Sequence, residues 1–470
     1  MKAGRCENCR NRARGSALVL GVVVQLMVQS LVAYTSLAAT PPVCSYEGVY
    51  AFGDSLTDVG NGIASFPNQF IRSESVPYGL QFPHHAADRF CDGRLLVDFL
   101  AFGVGLSPIY AYLRGFAADF SNGVNFAASG ATARSITTWD ATAKFNSPFT
   151  LSTQLQWLQR YRVRLEFYYT QTRVTQVLPT VASLNSSLYL VYAGFHDYMS
   201  GFYDNTLTPA EAQAIVPSVV APIISAVQAI YEFGGRDILV VNLPPLGCIP
   251  ALLTLHPADP SLANSYDDYG CLKRFNKPIK AHNSLLRSSL NTLRTTYPDA
   301  NLYYGDLHGV FINILKNSSD QGISNPLQAC CGFGGSYNFN TDVTCGSTGS
   351  VDGVEVDLTV SCFNPESYGS WDGIHLSQII NRAAATAFLN GKYIEPNGGM
   401  HCTPDTSNWY THNLSMLVPT LSGCQEDSSK VQESSPWLQH GCKLKVLVLV
   451  LEGVYAMSSA SVLYVSGPAI

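Results

Sequence analysis

Ser55, third residue of Gly53-Asp54-Ser55-Leu56, and the pair Asp372 and His375 within Trp371-Asp372-Gly373-Ile374-His375 have the side-chain types that covalent acyl chemistry requires. A serine hydroxyl is a poor nucleophile near neutral pH. It needs a base within hydrogen-bond reach, and that base needs an acid to hold its tautomer. In this reading His375 takes the Ser55 proton and Asp372 orients the ring, which is the constellation of a serine hydrolase. Each fragment alone also has a plainer reading, since Gly-Asp-Ser is a common turn and an Asp-x-x-His can be a solvated loop or helix cap. No Gly-x-Ser-x-Gly elbow surrounds Ser55, because Thr57 stands where the second glycine would be, so the α/β-hydrolase arrangement is disfavoured.

Short, nearly continuous apolar runs at Val49 to Phe52, Leu188 to Ala193 and Asp237 to Leu243 have the pattern of strands covered on both faces. Between them, Thr208-Pro209-Ala210-Glu211 is a capping box with proline in the first helical position. Apolar residues at Val216, Val219, Val220, Ile223, Ile224, Val227 and Ile230 then follow helical spacing up to Gly234-Gly235. Pro217 and Pro222 predict a split or kink in that helix. Further helices are expected over 276–295 and 377–389, and a strand over 301–304. Alternating strands and helices predict an α/β fold, a three-layer α/β/α sandwich around a central, mainly parallel sheet. Ser55 would follow the first strand, at the carboxyl end where such sheets bind ligands.

Lys2, Arg5, Arg10, Arg12 and Arg14, then the apolar run Ala17 to Ala33, then small residues up to Ala39, read as a secretory signal peptide over 1–39. The alternative, a membrane anchor, fits less well, because the run is shorter than the roughly 20 apolar residues of a span and is interrupted by Gln25, Gln29 and Ser30. Losing that leader takes the net charge from −6 to about −10. No basic stretch remains to follow a phosphate backbone, so nucleic acid is not an expected partner. Asn185, Asn317 and Asn413 each open an Asn-x-Ser sequon, a candidate glycan site in an exported chain. Of 13 cysteines, eleven follow the leader, an abundance suited to an oxidising compartment and an odd number that leaves one unpaired. A single domain spans 44–396 with no linker. The extension over 397–470 ends in an apolar stretch, either a membrane or lipid-anchor tail or a divergent segment without function.

Taken in order, the blocks of this chain resemble the plant GDSL esterase/lipase family of the SGNH hydrolases. They are Phe52-Gly-Asp-Ser-Leu-Thr-Asp58, Asn125-Phe-Ala-Ala-Ser-Gly-Ala131, Ala193-Gly-Phe-His-Asp-Tyr198 and Trp371-Asp-Gly-Ile-His375. Between them lie Gly93-Arg94 with Asp98-Phe99, Asn242-Leu-Pro-Pro-Leu-Gly-Cys248-Ile-Pro250, and Cys330-Cys-Gly-Phe-Gly-Gly335. The resemblance implies Ser55 as nucleophile, His375 as general base and Asp372 as its orienting acid, acting through an acyl-enzyme. It assigns the oxyanion donors to the Ser55 amide, the Gly130 amide and an Asn side chain of a Gly-x-Asn-Asp block. At that third position this chain has His196, whose imidazole also carries an N–H.

Cys248 with Cys271 and Cys331 with Cys345 are candidate disulfides across Gly- and Tyr-rich loops, although sequence leaves the pairing open. A zinc site at Cys330-Cys331 is disfavoured, because no Cys-x-x-Cys or His-Glu-x-x-His follows the leader, and His84-His85 with Asp88 reads as a loop. No metal or cofactor is expected. Phe66, Tyr78, Phe82, Phe195, Tyr198 and Tyr203 are candidates to line an apolar acyl site, unless they belong to the core. The expectation is a secreted carboxylic-ester hydrolase acting on a small-molecule or lipid ester, with possible partners at the cell wall or a membrane surface. Two alternatives stand beside it: acyl transfer from the same acyl-enzyme, and a binding glycoprotein impaired in catalysis by His196.

Overall fold

The structure, a computed structural model, describes residues 46–82, 88–114, 118–136, 147–171, 176–257, 265–351, 353–356, 361–396 and 399–400. The proposed leader, His84, His85, Asn413 and residues 401–470 lie outside them. Seven strands form the central sheet: β1 (Val49–Gly53), β2 (Tyr110–Ala111), β3 (Gly123–Asn125), β4 (Leu188–Tyr192), β5 (Asp237–Val241), β6 (Asn301–Gly305) and β7 (Ile394–Glu395). Their order is β7-β6-β5-β4-β1-β3-β2, parallel throughout except for β7, which pairs antiparallel with β6. Every residue of β1 and β4 is buried, which is why their sequences show no polar alternation.

Seven longer helices flank the sheet: α1 (Leu96–Gly103), α2 (Leu151–Gln171), α3 (Phe195–Tyr203), α4 (Pro209–Phe233), α5 (Lys273–Thr296), α6 (Leu307–Lys316) and α7 (Gln378–Leu389). α4 packs against α5 and α2, while α7 packs against α1 and α6, giving two helical layers around one sheet. The three-layer α/β/α architecture is as expected.

Thr208 and Glu211 form the reciprocal capping box that opens α4, and Gly234 closes it in the left-handed region. The helix runs unbroken through Pro217 and Pro222, contrary to the expected split. Packing explains this. Val216, Val219, Val220, Ile223, Val227 and Ile230 are all buried. At about 1.5–3 kcal/mol per buried side chain they outweigh two internal prolines at about 3 kcal/mol each. α2 was not expected, because charged and polar residues dominate its sequence. Its buried face, Gln154, Trp157, Leu158, Tyr161 and Leu165, nevertheless keeps helical spacing.

Candidate active site

β1 ends at Gly53, where a Cβ would come within 2.0 Å of the Tyr192 carbonyl oxygen on β4 and φ is +153°, so only glycine fits. The Gln154 side chain of α2 brackets this residue, accepting from its N–H (2.9 Å) and donating to its carbonyl (2.8 Å). The amides of Thr57 and Asp58 then turn back onto the Asp54 carbonyl. Ser55 is thereby held in a tight turn directly beyond the strand.

Gly130 lies in the loop that follows β3. The buried Asp58 carboxylate ties that loop to the Ser55 turn: it accepts the amides of Gly60, Asn61 and Gly62, and both the amide and the hydroxyl of Ser129 at 2.7 Å. α3 follows β4 through Gly194, and its Asp197 carboxylate accepts the Ala133 amide (2.6 Å) and the Arg134 guanidinium (3.0 Å). Burial pushes the Asp54 carboxyl up to about 7, against the opposing pull of the Leu56 and His196 amides. Ser55, Gly130 and His196 therefore follow β1, β3 and β4, three adjacent strands at the point where strand order reverses, and carboxylates cross-brace all three loops. Among the described residues, the Ser55 and Gly130 amides are not taken up by any backbone hydrogen bond.

Asp372 and His375 arrive on the loop before α7. Asp372 Oδ1 accepts the amides of Ile374 (2.9 Å) and His375 (2.8 Å), so the three-residue spacing closes as an Asx-type turn. Asp372 Oδ2 accepts from His375 Nδ1 at 2.7 Å, and the Ser55 hydroxyl donates to His375 Nε2 at 2.9 Å. Phe90 stacks on the imidazole with ring centres 4.9 Å apart. Burial pushes the Asp372 carboxyl up, but His375 and the two amides outweigh it and hold the group below the usual carboxylate range. Burial, and secondarily the His375 charge, push His196 down to about 4, so its ring is neutral at physiological pH and carries a single N–H donor.

Disulfides join Cys248 to Cys271, Cys331 to Cys345, and Cys330 to Cys362. The third pair could not be read from sequence, because spacing does not fix partners. It matters to the site, since the Cys330 and Cys331 amides donate to the carbonyls of Ser370 and Trp371, immediately before Asp372. Cys91 is a buried free thiol. Of the sequons, Asn185 is exposed and Asn317 half-buried.

A cavity of about 370 Å³ opens over Ser55, Gly130, His196, Asp372 and His375. Of the six aromatic residues expected there, Tyr78, Phe195 and Tyr203 line it. The other three do not. Phe66 packs on Phe149, Phe82 lies under the guanidinium groups of Arg89 and Arg94, and Tyr198 is a core residue hydrogen-bonded to His282. Phe70, Phe90, Met199, Phe339 and Ile374 take their place, while Thr341, Asp342, Thr344, Ser347 and Thr348 form a polar wall.

Residues 49–388 match the family described as GDSL-like Lipase/Acylhydrolase. The chain is 34% identical over 356 residues to a GDSL esterase/lipase of Arabidopsis thaliana, which covers 75% of this chain and 90% of that protein. It is 37% identical over 348 residues to acetylajmalan esterase 2 of Rauvolfia serpentina, covering 72% and 88% of the two chains, and 33% identical to the GDSL esterase/lipase ACHE of Zea mays, covering 75% and 87%.

Proposed function

This chain belongs to the GDSL-like lipase/acylhydrolase family, most of whose plant relatives compared above are named esterases or lipases, and from that premise we propose a secreted carboxylic-ester hydrolase working through a Ser55-His375-Asp372 triad. The observation that carries the reading is the continuous relay from Ser55 Oγ to His375 Nε2 (2.9 Å) and from Nδ1 to Asp372 Oδ2 (2.7 Å), set beside a cavity. Ser55 Oγ attacks the ester carbonyl as its proton passes to His375 Nε2. The resulting imidazolium faces the Asp372 carboxylate. Collapse of the tetrahedral intermediate breaks the bond to the alcohol, which leaves with the proton from Nε2. Water, deprotonated by the same nitrogen, then releases the acid from Ser55. The Ser55 and Gly130 amides and the His196 ring N–H receive the oxyanion. Substrate is a small-molecule or lipid ester, and the Phe70, Phe90, Phe195, Met199 and Phe339 side chains favour an apolar acyl group in the cavity.

Three disulfides and the sequons at Asn185 and Asn317 support export, with the leader removed near residues 38–40. Protein recovered from the medium of expressing cells should begin near that point and react with a fluorophosphonate probe, whereas Ser55→Ala should not label. Labelling of Ser55→Ala at the wild-type rate would remove Ser55 from its role.

His196→Ala is expected to lower kcat by about 10²–10³-fold with little change in KM, because an oxyanion donor acts mainly in the transition state. His196→Asn, which supplies an amide N–H, should retain most of the turnover. Because the ring gains its second proton only near pH 4, no step in the wild-type kcat profile between pH 5 and 9 should disappear in His196→Asn. An alanine variant with unchanged kcat would make His196 a packing residue. The alternative of a catalytically silent binding glycoprotein rests on this one substitution, and the intact relay argues against it.

A further inference from the structure

Asp372 has a fourth hydrogen-bond donor that lies far from it in sequence. The Tyr78 hydroxyl donates to Asp372 Oδ2 at 2.9 Å across a sequence separation of 294. A carboxylate offers about four lone-pair positions. Here all are filled: Oδ1 by the Ile374 and His375 amides, Oδ2 by His375 Nδ1–H and by Tyr78. We infer that Tyr78 is a positioning residue for the triad, acting through Asp372 by locking its carboxylate in the plane that keeps Nδ1 protonated and Nε2 open toward Ser55. This inference rests on the triad reading above.

The phenol is itself held on several sides. Its ring meets Trp371 and Phe90 edge-on, with centres 5.9 and 5.7 Å away, and Phe90 in turn stacks on His375. Tyr78, Trp371, Cys330, Cys331 and Cys345 form a small buried cluster separate from the main core. Its backbone is fixed from both directions, since the Tyr78 amide donates to Ser75 and the Gly79 amide to Cys91. Just upstream, Arg72 donates to the Cys345 carbonyl (2.9 Å), joining this segment to the disulfide-bonded loop. Burial and, after it, the adjacent Asp372 charge raise the phenol well above its ordinary value, so Tyr78 is a neutral donor at physiological pH. The two donors on Oδ2 compete for its charge. With Tyr78 present, less of that charge is available to stabilise the His375 imidazolium.

Replacing Tyr78 by Phe keeps the ring contacts and deletes the donor. The expected result is a fall in kcat of about tenfold with KM within about twofold, because an Asp372 carboxylate released to rotate misaims the imidazole at Ser55 by more than the imidazolium gains. The acid limb of the kcat/KM profile should move to higher pH, because an Asp372 with one donor fewer stabilises the imidazolium more. The other ionisable groups among the described residues that bear on the site, Asp54 and His196 beside His375, Tyr203 beside Asp372, Asp342 in the cavity wall and Arg72 beside Tyr78, are the same in both proteins. A residue with a purely structural role would lower the melting temperature without moving that limb.

Should Tyr78→Phe not fold, a fluorinated tyrosine at position 78, a stronger donor of nearly the same shape, should move the limb to lower pH. An unmoved acid limb together with unchanged kcat, in either folded variant, overturns the inference. Ser55→Ala, assayed alongside, separates the two claims: an active Ser55→Ala protein sinks the triad itself, whereas an inactive one with an unaltered Tyr78 variant sinks only the role of Tyr78.

Discussion

His375→Ala is expected to lower kcat/KM for a short-chain nitrophenyl ester by about 10⁴–10⁶-fold, and Ser55→Ala and the double variant should fall to the same level. The equality is the informative part. In the proposed mechanism Ser55 and His375 share one proton transfer across their 2.9 Å contact, so removing either member removes the whole step and removing the second costs little more. The other cavity histidine offers no substitute base in the observed arrangement, since Ser55 Oγ donates to His375 and His196 sits on the strand-β4 side of the site. The residual rate should come from the oxyanion donors and substrate binding, which the substitutions leave in place. Losses that multiply in the double variant, or a His375→Ala protein within a hundredfold of wild type, would show that the two side chains act independently.

The parts of this site that sequence discloses are those fixed by local chain geometry. Ser55 is legible because an apolar strand run stops at Gly53, and in a parallel sheet that end faces ligand. Asp372 and His375 are legible because their spacing matches a turn that the carboxylate itself closes through the Ile374 and His375 amides. Gly130 and His196 are legible only through the family resemblance of the blocks that hold them, and the sheet then brings those blocks side by side. Tyr78 and Phe90 escaped assignment to the triad because they reach it across nearly 300 residues, with no periodicity to mark them. Nearness in sequence to a motif also misled: Phe66 and Phe82 flank Tyr78 along the chain, yet their rings face Phe149 and two arginines rather than the cavity. Residues 325–329 pair with 368–370 as a separate two-stranded unit, which sets the acid against the disulfide-bonded loop. That long-range pairing has no local sequence signal.

Asp372→Asn should lower kcat by about 10⁴-fold while leaving the fold intact, and the hydrogen-bond pattern says why an isosteric change does so much. Oδ1 accepts two backbone amides, so the new side chain must place its carbonyl oxygen there; the reverse orientation would set its NH₂ against two N–H groups. The NH₂ group then occupies the position of Oδ2, 2.7 Å from His375 Nδ1. Facing a donor, Nδ1 gives up its proton and accepts instead. The neutral ring must then carry its proton on Nε2, directed at Ser55 Oγ, and the base of the first step has become a donor. The same NH₂ also faces the Tyr78 hydroxyl, which can rotate to accept, so the variant keeps its hydrogen bonds and its stability while losing the working tautomer. A melting temperature near that of wild type combined with the kinetic loss is the expected pair of results. An Asp372→Asn protein retaining more than about a tenth of wild-type kcat would mean that the tautomer of His375 is held by something other than this carboxylate.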